Sequence, residues 1–175
     1  MPAEHSLGFQ PAPLLPDEDA RENVVSRLLA CSFDLSELDA QVAGVAELFD
    51  VPMAAATVLD RDWQHLVSKV GLGVDRTDRA VAFCGYTIGQ QKPFCVPDAR
   101  QDKRFAGNPL VLGEPKIRFY AGARLVVGGM PVGSLCAIGN QPRTSVDPTK
   151  ITHLEDLACA ASEILDRQLG RQSRP

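Results

Sequence analysis

The chain has 175 residues, enough for one domain with a substantial core. Hydrophobic residues make up 45% and charged residues 23%, the balance of a soluble globular protein. A formal net charge of −4 carries no nucleic-acid footprint, and no apolar run approaches the roughly 20 residues that span a bilayer.

Residues 1–16 are rich in proline and glycine and poor in periodic apolar positions, which predicts an extended or disordered arm with no secretory signal. A single domain is expected over 17–170, with a flexible tail over 171–175. The first helix should open near Asp17 to Asp19. Asp19 and Glu22 approximate a capping box, and Val24, Val25, Leu28 and Leu29 form a stripe. Asp34 and Glu37 repeat the device before a second helix that carries Leu38, Val42, Val45, Ala46 and Phe49, closed by Asp50 and Pro52. Met53 to Leu59 and Trp63 to Val70 read as strands joined by the turn Asp60-Arg61-Asp62. A loop is expected over 71–79, then a short helix from Phe83 to Ile88 and a brief strand from Phe94 to Val96. Residues 98–116 read as a long irregular loop, with Pro109 and Pro115 blocking regular structure. Phe119 to Ile138 holds two β-compatible runs around Gly128-Gly129. The last helix starts on Asp147-Pro148 and ends at Gly170. Its apolar positions Ile151, Leu154, Ala158, Ala161 and Leu165 fit either burial on the sheet or a short helix–helix seam.

Helices at both ends and strands between them predict an α+β fold: one antiparallel sheet, terminal helices on one face, and a short helix plus long loop over a pocket on the other. The five cysteines (Cys31, Cys84, Cys95, Cys136, Cys159) are odd in number, widely spaced and without a CxxC, so neither a zinc site nor a disulfide framework is expected. They read as small hydrophobes in a reducing cytoplasm. His5, His65 and His153 have no metal-ligand spacing.

An ordered series of motifs from about residue 34 to 167 resembles the GAF domains of bacterial signalling proteins. Leu59-Asp60-Arg61-Asp62-Trp63 looks like the first hairpin, and Phe83-Cys84 with Ile88 like the short cavity helix. Val96-Pro97-Asp98-Ala99, Asp102-Lys103-Arg104-Phe105 and Asn108-Pro109-Leu110-Val111 look like the capping segment. Ile117 to Ala123, Gly133-Ser134-Leu135-Cys136, Pro142-Arg143 and the last helix complete it. The resemblance implies a sheet of five or six strands and a small-molecule pocket or its relic. It also implies dimerisation through the terminal helices and signalling to a partner protein, without catalysis. Ligands of the family include cyclic nucleotides, tetrapyrroles and small metabolites, and which of them suits this chain is left unknown.

The pocket residues expected on this basis are Phe83, Tyr86, Phe105, Asn108, Tyr120, Arg124 and Cys136. Arg124 stands where the family usually has proline; it reads either as a guanidinium for an anionic ligand or as a surface arginine paired with an aspartate. Phe105 and Asn108 read as the inward side of a lid. Cys84 lacks the neighbouring histidine of chromophore-attaching GAF domains and reads as packing. Two rivals stand beside the sensor: a degenerate GAF domain with a filled cavity, serving dimerisation or docking, and a thiol-based reductase of free methionine sulfoxide. The latter needs converging cysteines, for which Cys84 and Cys95 are the expected pair.

Overall fold

The computed structural model describes residues 8–172. In chain order it has α1 (Glu18–Leu29), α2 (Ser36–Phe49), β1 (Met53–Leu59), β2 (Trp63–Val70), β3 (Arg76–Asp78), α3 (Cys84–Thr87), β4 (Phe94–Val96), α4 (Pro109–Leu112), β5 (Phe119–Val127), β6 (Met130–Gly139) and α5 (Pro148–Gln172). Single 3-10 turns cover Arg79–Val81 and Ala99–Gln101. Six antiparallel strands lie in the order β3-β2-β1-β6-β5-β4, the α+β architecture expected.

β1 is central and buried along its whole length, which explains why its sequence MAAATVL carries no polar alternation. Ala54, Ala56 and Val58 face one way, into a core shared with α1, α2 and α5. Ala55 and Leu59 face the other, into a second core under α3 and α4. The strands β5 and β6 alternate in the same manner. Phe119 packs on the helical side, its ring 5.9 Å from Phe49, while Tyr120 and Cys136 belong to the opposite core. Gly128 and Gly129, at φ 57° and 76°, make the tight turn between β5 and β6.

The helix ends are set by short-range chemistry. Asp147 Oδ1 accepts the Thr149 amide at 2.8 Å to start α5, which runs two residues beyond Gly170. Asp34 Oδ1 accepts the Ser36 amide at 3.0 Å, and α2 closes on Asp50 at φ 50°. The capping box expected at Asp19 and Glu22 does not form. Asp17 takes the N-cap position without a side-chain bond, and Asp19 instead meets Arg61 at 2.7 Å.

Two segments expected to be irregular are not. Arg76–Asp78 pairs with β2 as an edge strand, held by its backbone. Pro109 opens α4 rather than blocking it, because an amide missing from the first turn of a helix costs nothing. On α5, Leu154, Ala158, Ala161 and Leu165 are buried in the helical-side core, so the residues read as a seam are used within the fold. The outward side of α5 carries Thr152, Asp156, Glu163, Asp166 and Arg167. Among the described residues no helix is long and apolar enough to cross a membrane.

Candidate functional site

The face of the sheet away from α1, α2 and α5 is roofed by α3, the segment from Asp98 to Lys116, and residues 8–16. The roof is closed by aromatic rings. Phe83 and Phe105 stack with centroids 4.0 Å apart and planes 10° from parallel. Phe94 and Tyr120 pack beside them, and Arg104 lies over Phe94 with its guanidinium 4.9 Å from the ring centroid. Asp102 orients that guanidinium through bonds of 2.9 and 2.6 Å.

Residues 8–16 have no helix or strand, yet they are strapped to this roof. Gln10 N donates to Arg104 O at 2.9 Å, Gly107 N donates to Gly8 O at 3.2 Å, and Tyr86 Oη donates to Gln10 O at 2.6 Å. Leu15 packs into the roof-side core. The strap leads directly into Glu18, whose buried carboxylate accepts from Arg21 and from Arg79. Arg21 also donates to Leu59 O at 2.6 Å. Burial raises the Glu18 pKa, but hydrogen bonds and charge from the two guanidinium groups outweigh it and hold the group at about 2.

What remains hollow beneath the roof is about 60 Å³. Thr57, Gln64, Leu66, Phe83, Cys84, Tyr120 and Cys136 are among the side chains around it, and half-exposed Val74 stands at its rim. At roughly 10–15 Å³ of such space per water, it has room for a few waters. Pockets for drug-sized ligands begin at roughly 300 Å³.

The structure divides the residues singled out from sequence. Phe83, Tyr120 and Cys136 line the hollow. Phe105 plugs the roof beside it. Asn108 does not face a ligand space: its Nδ2 donates to Val81 O at 3.0 Å and its Oδ1 caps α4 through the Leu110 amide at 2.9 Å, which engages both ends of the amide. Tyr86 lies on the outer side of the roof beneath the strap. Arg124 sits beyond the end of β4, bonded to Gln91 Oε1 at 2.9 Å, on a surface groove beside α5. It pairs with neither the aspartate nor the pocket considered for it. His65 Nε2 meets Asp60 Oδ2 at 2.7 Å at the first hairpin.

Sequence reasoning missed the polar floor of the hollow. Tyr120 Oη lies 2.7 Å from Thr87 Oγ1, 3.1 Å from Ser134 Oγ and 3.3 Å from Cys84 Sγ. Gly122 makes this possible, since a Cβ there would collide with the Tyr120 hydroxyl and with Ser134 Oγ. Cys84 and Cys136 converge, with sulfurs 3.9 Å apart. Cys95 does not join them; it packs against the helical-side core, where burial pushes its thiol up to about 11. The environment separates the two converging thiols. Burial raises the Cys84 pKa, but hydrogen bonds with Cys136, Thr57, Tyr120 and Ser134 outweigh it and bring it to about 7. The bond to Cys84, then burial, pushes Cys136 well up.

Known proteins share this arrangement of sheet, roof and helices. A cyclic di-GMP phosphodiesterase of Pseudomonas aeruginosa is 37% identical over 144 residues, covering 81% of this chain but 24% of that protein. The chain therefore spans about a quarter of that relative. The GAF domain of an Acinetobacter phosphoenolpyruvate-protein phosphotransferase superposes with a TM-score of 0.65 at 18% identity, covering 90% of this chain and 95% of that one. A free methionine-R-sulfoxide reductase from Neisseria meningitidis superposes with a TM-score of 0.63 at 18% identity, covering 97% and 99%. At such identities the two structures speak for the fold alone. The GAF domain profile matches residues 35–165, and the chain belongs to the GAF domain family.

Proposed function

We propose that this chain is a non-catalytic regulatory GAF module of bacterial cytoplasmic signalling, and that it acts through protein contacts of its helical face rather than by holding a bulky ligand. The observation that carries this reading is the hollow of about 60 Å³ under a roof plugged by Phe83 and Phe105. A cyclic nucleotide or a tetrapyrrole has no room there. Between a sensor with an open pocket and a docking or dimerisation module with a filled one, the volume favours the second. A partner, whether a signalling protein or a second copy, meets a largely polar face of α5, since Leu154, Ala158, Ala161 and Leu165 are buried and Ile151 is half-buried.

Similarity to part of a cyclic di-GMP phosphodiesterase supports a place in that kind of signalling. The test is a chimera of that relative in which its matching segment is replaced by this chain, compared with a deletion of the segment. We expect the chimera to hydrolyse cyclic di-GMP at a rate closer to the intact protein than the deletion does. We expect isolated chain to hydrolyse none and to give no calorimetric signal with cyclic nucleotides or biliverdin. Tight binding of either by the isolated chain would overturn the filled-pocket reading, and a chimera no better than the deletion would overturn the regulatory one.

A further inference from the structure

The roofed hollow holds a group of side chains for which a packing role alone gives no reason. Two thiols from elements 52 residues apart in sequence approach within 3.9 Å at its floor. Three hydroxyls, Tyr120, Thr87 and Ser134, are chained beside Cys84. Gln64 borders the same space, and its buried Oε1 has no hydrogen-bond partner among the described residues, while Nε2 donates to Thr77 Oγ1 at 3.1 Å. A buried amide oxygen in that condition asks for a donor. The space is too small for glutathione disulfide or a nucleotide, yet a molecule about the size of two waters fits.

From this geometry we infer that the hollow is a reaction site for hydrogen peroxide, with Cys84 as the attacking sulfur and Cys136 as the resolving one. Peroxide donates to Gln64 Oε1 as it enters. The Cys84 sulfur, as thiolate, attacks one peroxide oxygen. The O–O bond breaks, Cys84 becomes a sulfenic acid, and the departing hydroxide takes a proton from the Tyr120–Thr87–Ser134 chain to leave as water. That chain is reprotonated by the proton lost from Cys84. The Cys136 sulfur, giving up its own proton, then attacks Cys84 Sγ and expels hydroxide, which leaves as a second water. Two thiols and one peroxide become one disulfide and two waters, with two electrons passing from sulfur to oxygen. The sulfurs must close from 3.9 Å to about 2.05 Å, which draws α3 toward β6. The hydrogen bonds that lower the Cys84 pKa suit it to the attacking role, whereas burial disfavours the thiolate of Cys95. The chemistry requires the cavity and its side chains but no partner protein, so it stands or falls apart from the chimera experiment.

The test is thiol counting and peptide mass spectrometry on the reduced full chain treated with one equivalent of hydrogen peroxide. We expect two of the five thiols to disappear, a mass loss of two hydrogens, and a Cys84–Cys136 cross-linked peptide. A variant with both Cys31→Ser and Cys159→Ser, positions outside the hollow, should behave in the same way. Cumene hydroperoxide, too large for the space, should react at least 10-fold more slowly. Cys136→Ser should leave a sulfenic acid on Cys84 that dimedone traps. Thiol loss confined to Cys31 and Cys159, or equal rates with the two peroxides, overturns the inference. Both results can be read from the natural sequence, so neither depends on a core variant folding.

Discussion

Phe105→Ala tests whether the roof is closed in solution. The ring is 1% exposed, stacks on Phe83 at 4.0 Å and meets Tyr86 edge-on at 5.3 Å. Burying a phenylalanine removes about 200 Å² from water, which at about 25 cal/mol per Å² amounts to about 5 kcal/mol. Alanine keeps part of that, and Phe→Ala losses in protein cores run about 3–5 kcal/mol, so we expect about 4 kcal/mol. Urea unfolding followed by far-UV circular dichroism reads the loss as a lower midpoint at an unchanged slope. Leu112→Ala, on the exposed side of α4, is the control and should cost less than about 0.5 kcal/mol. A Phe105→Ala loss below about 1 kcal/mol would mean that the roof stands open in solution. A small hollow would then no longer bar a bulky ligand.

Glu18 gives a prediction with a definite sign. Its folded pKa of about 2 lies below the usual 4.5, so its contribution is complete above about pH 4.5 and is lost as the pH falls toward 2. A shift of that size corresponds to about 3 kcal/mol. Glu18→Gln should therefore be less stable than wild type at pH 7, with the gap closing toward pH 3 in urea titrations, and a gap that ignores pH would refute the buried ion cluster. Gly133→Ala should prevent folding, because a Cβ there would lie inside the Thr57 carbonyl of the neighbouring central strand. Gly129→Ala, at φ 76° with open space around it, should cost only about 1 kcal/mol; circular dichroism showing equal stability for the two variants would refute the close approach.

Elements whose signal is local were legible in the sequence. Asp147-Pro148 announced α5 because a cap and a proline act within one turn, and Gly128-Gly129 announced the β5–β6 hairpin because only glycine adopts both dihedrals at no cost. Elements made by pairing were not. Arg76–Asp78 is three polar residues whose strand character comes from the Trp63, Gln64 and His65 backbone opposite. The site fared likewise. Alternation along one strand puts Tyr120 and Gly122 on one face, but that Cys136 shares it depends on the register that sets Cys136 opposite Gly122. That Cys84 reaches Cys136 rather than Cys95 depends on where α3 lands over β6, which no spacing encodes. Arg124 shares the period-two face of Tyr120, but β4 pairs with β5 only from Val96 to Phe94, opposite Tyr120 to Gly122. The side chain of Arg124 therefore emerges past the last paired residue and lies outside the pocket.

The roof and the helical face are not independent bodies. Residues 8–16 bond to the roof at Arg104, Gly107 and Tyr86 and then continue without a break into α1. At the point of entry Glu18 is bonded to Arg79, five residues before Cys84, and to Arg21, which in turn holds the end of β1. A displacement of α3 therefore meets α1 along two routes, one covalent through the strap and one through buried charge. Helix α1 packs on β6 and touches α5. The two routes differ in kind: most of residues 8–16 are exposed to solvent, whereas Glu18, Arg21 and Arg79 are buried, so the ion cluster is the stiffer link between the roof and α1. The regulatory role proposed above therefore does not require an open pocket: a shift of Arg79, five residues before Cys84, bears directly on Glu18 at the start of α1.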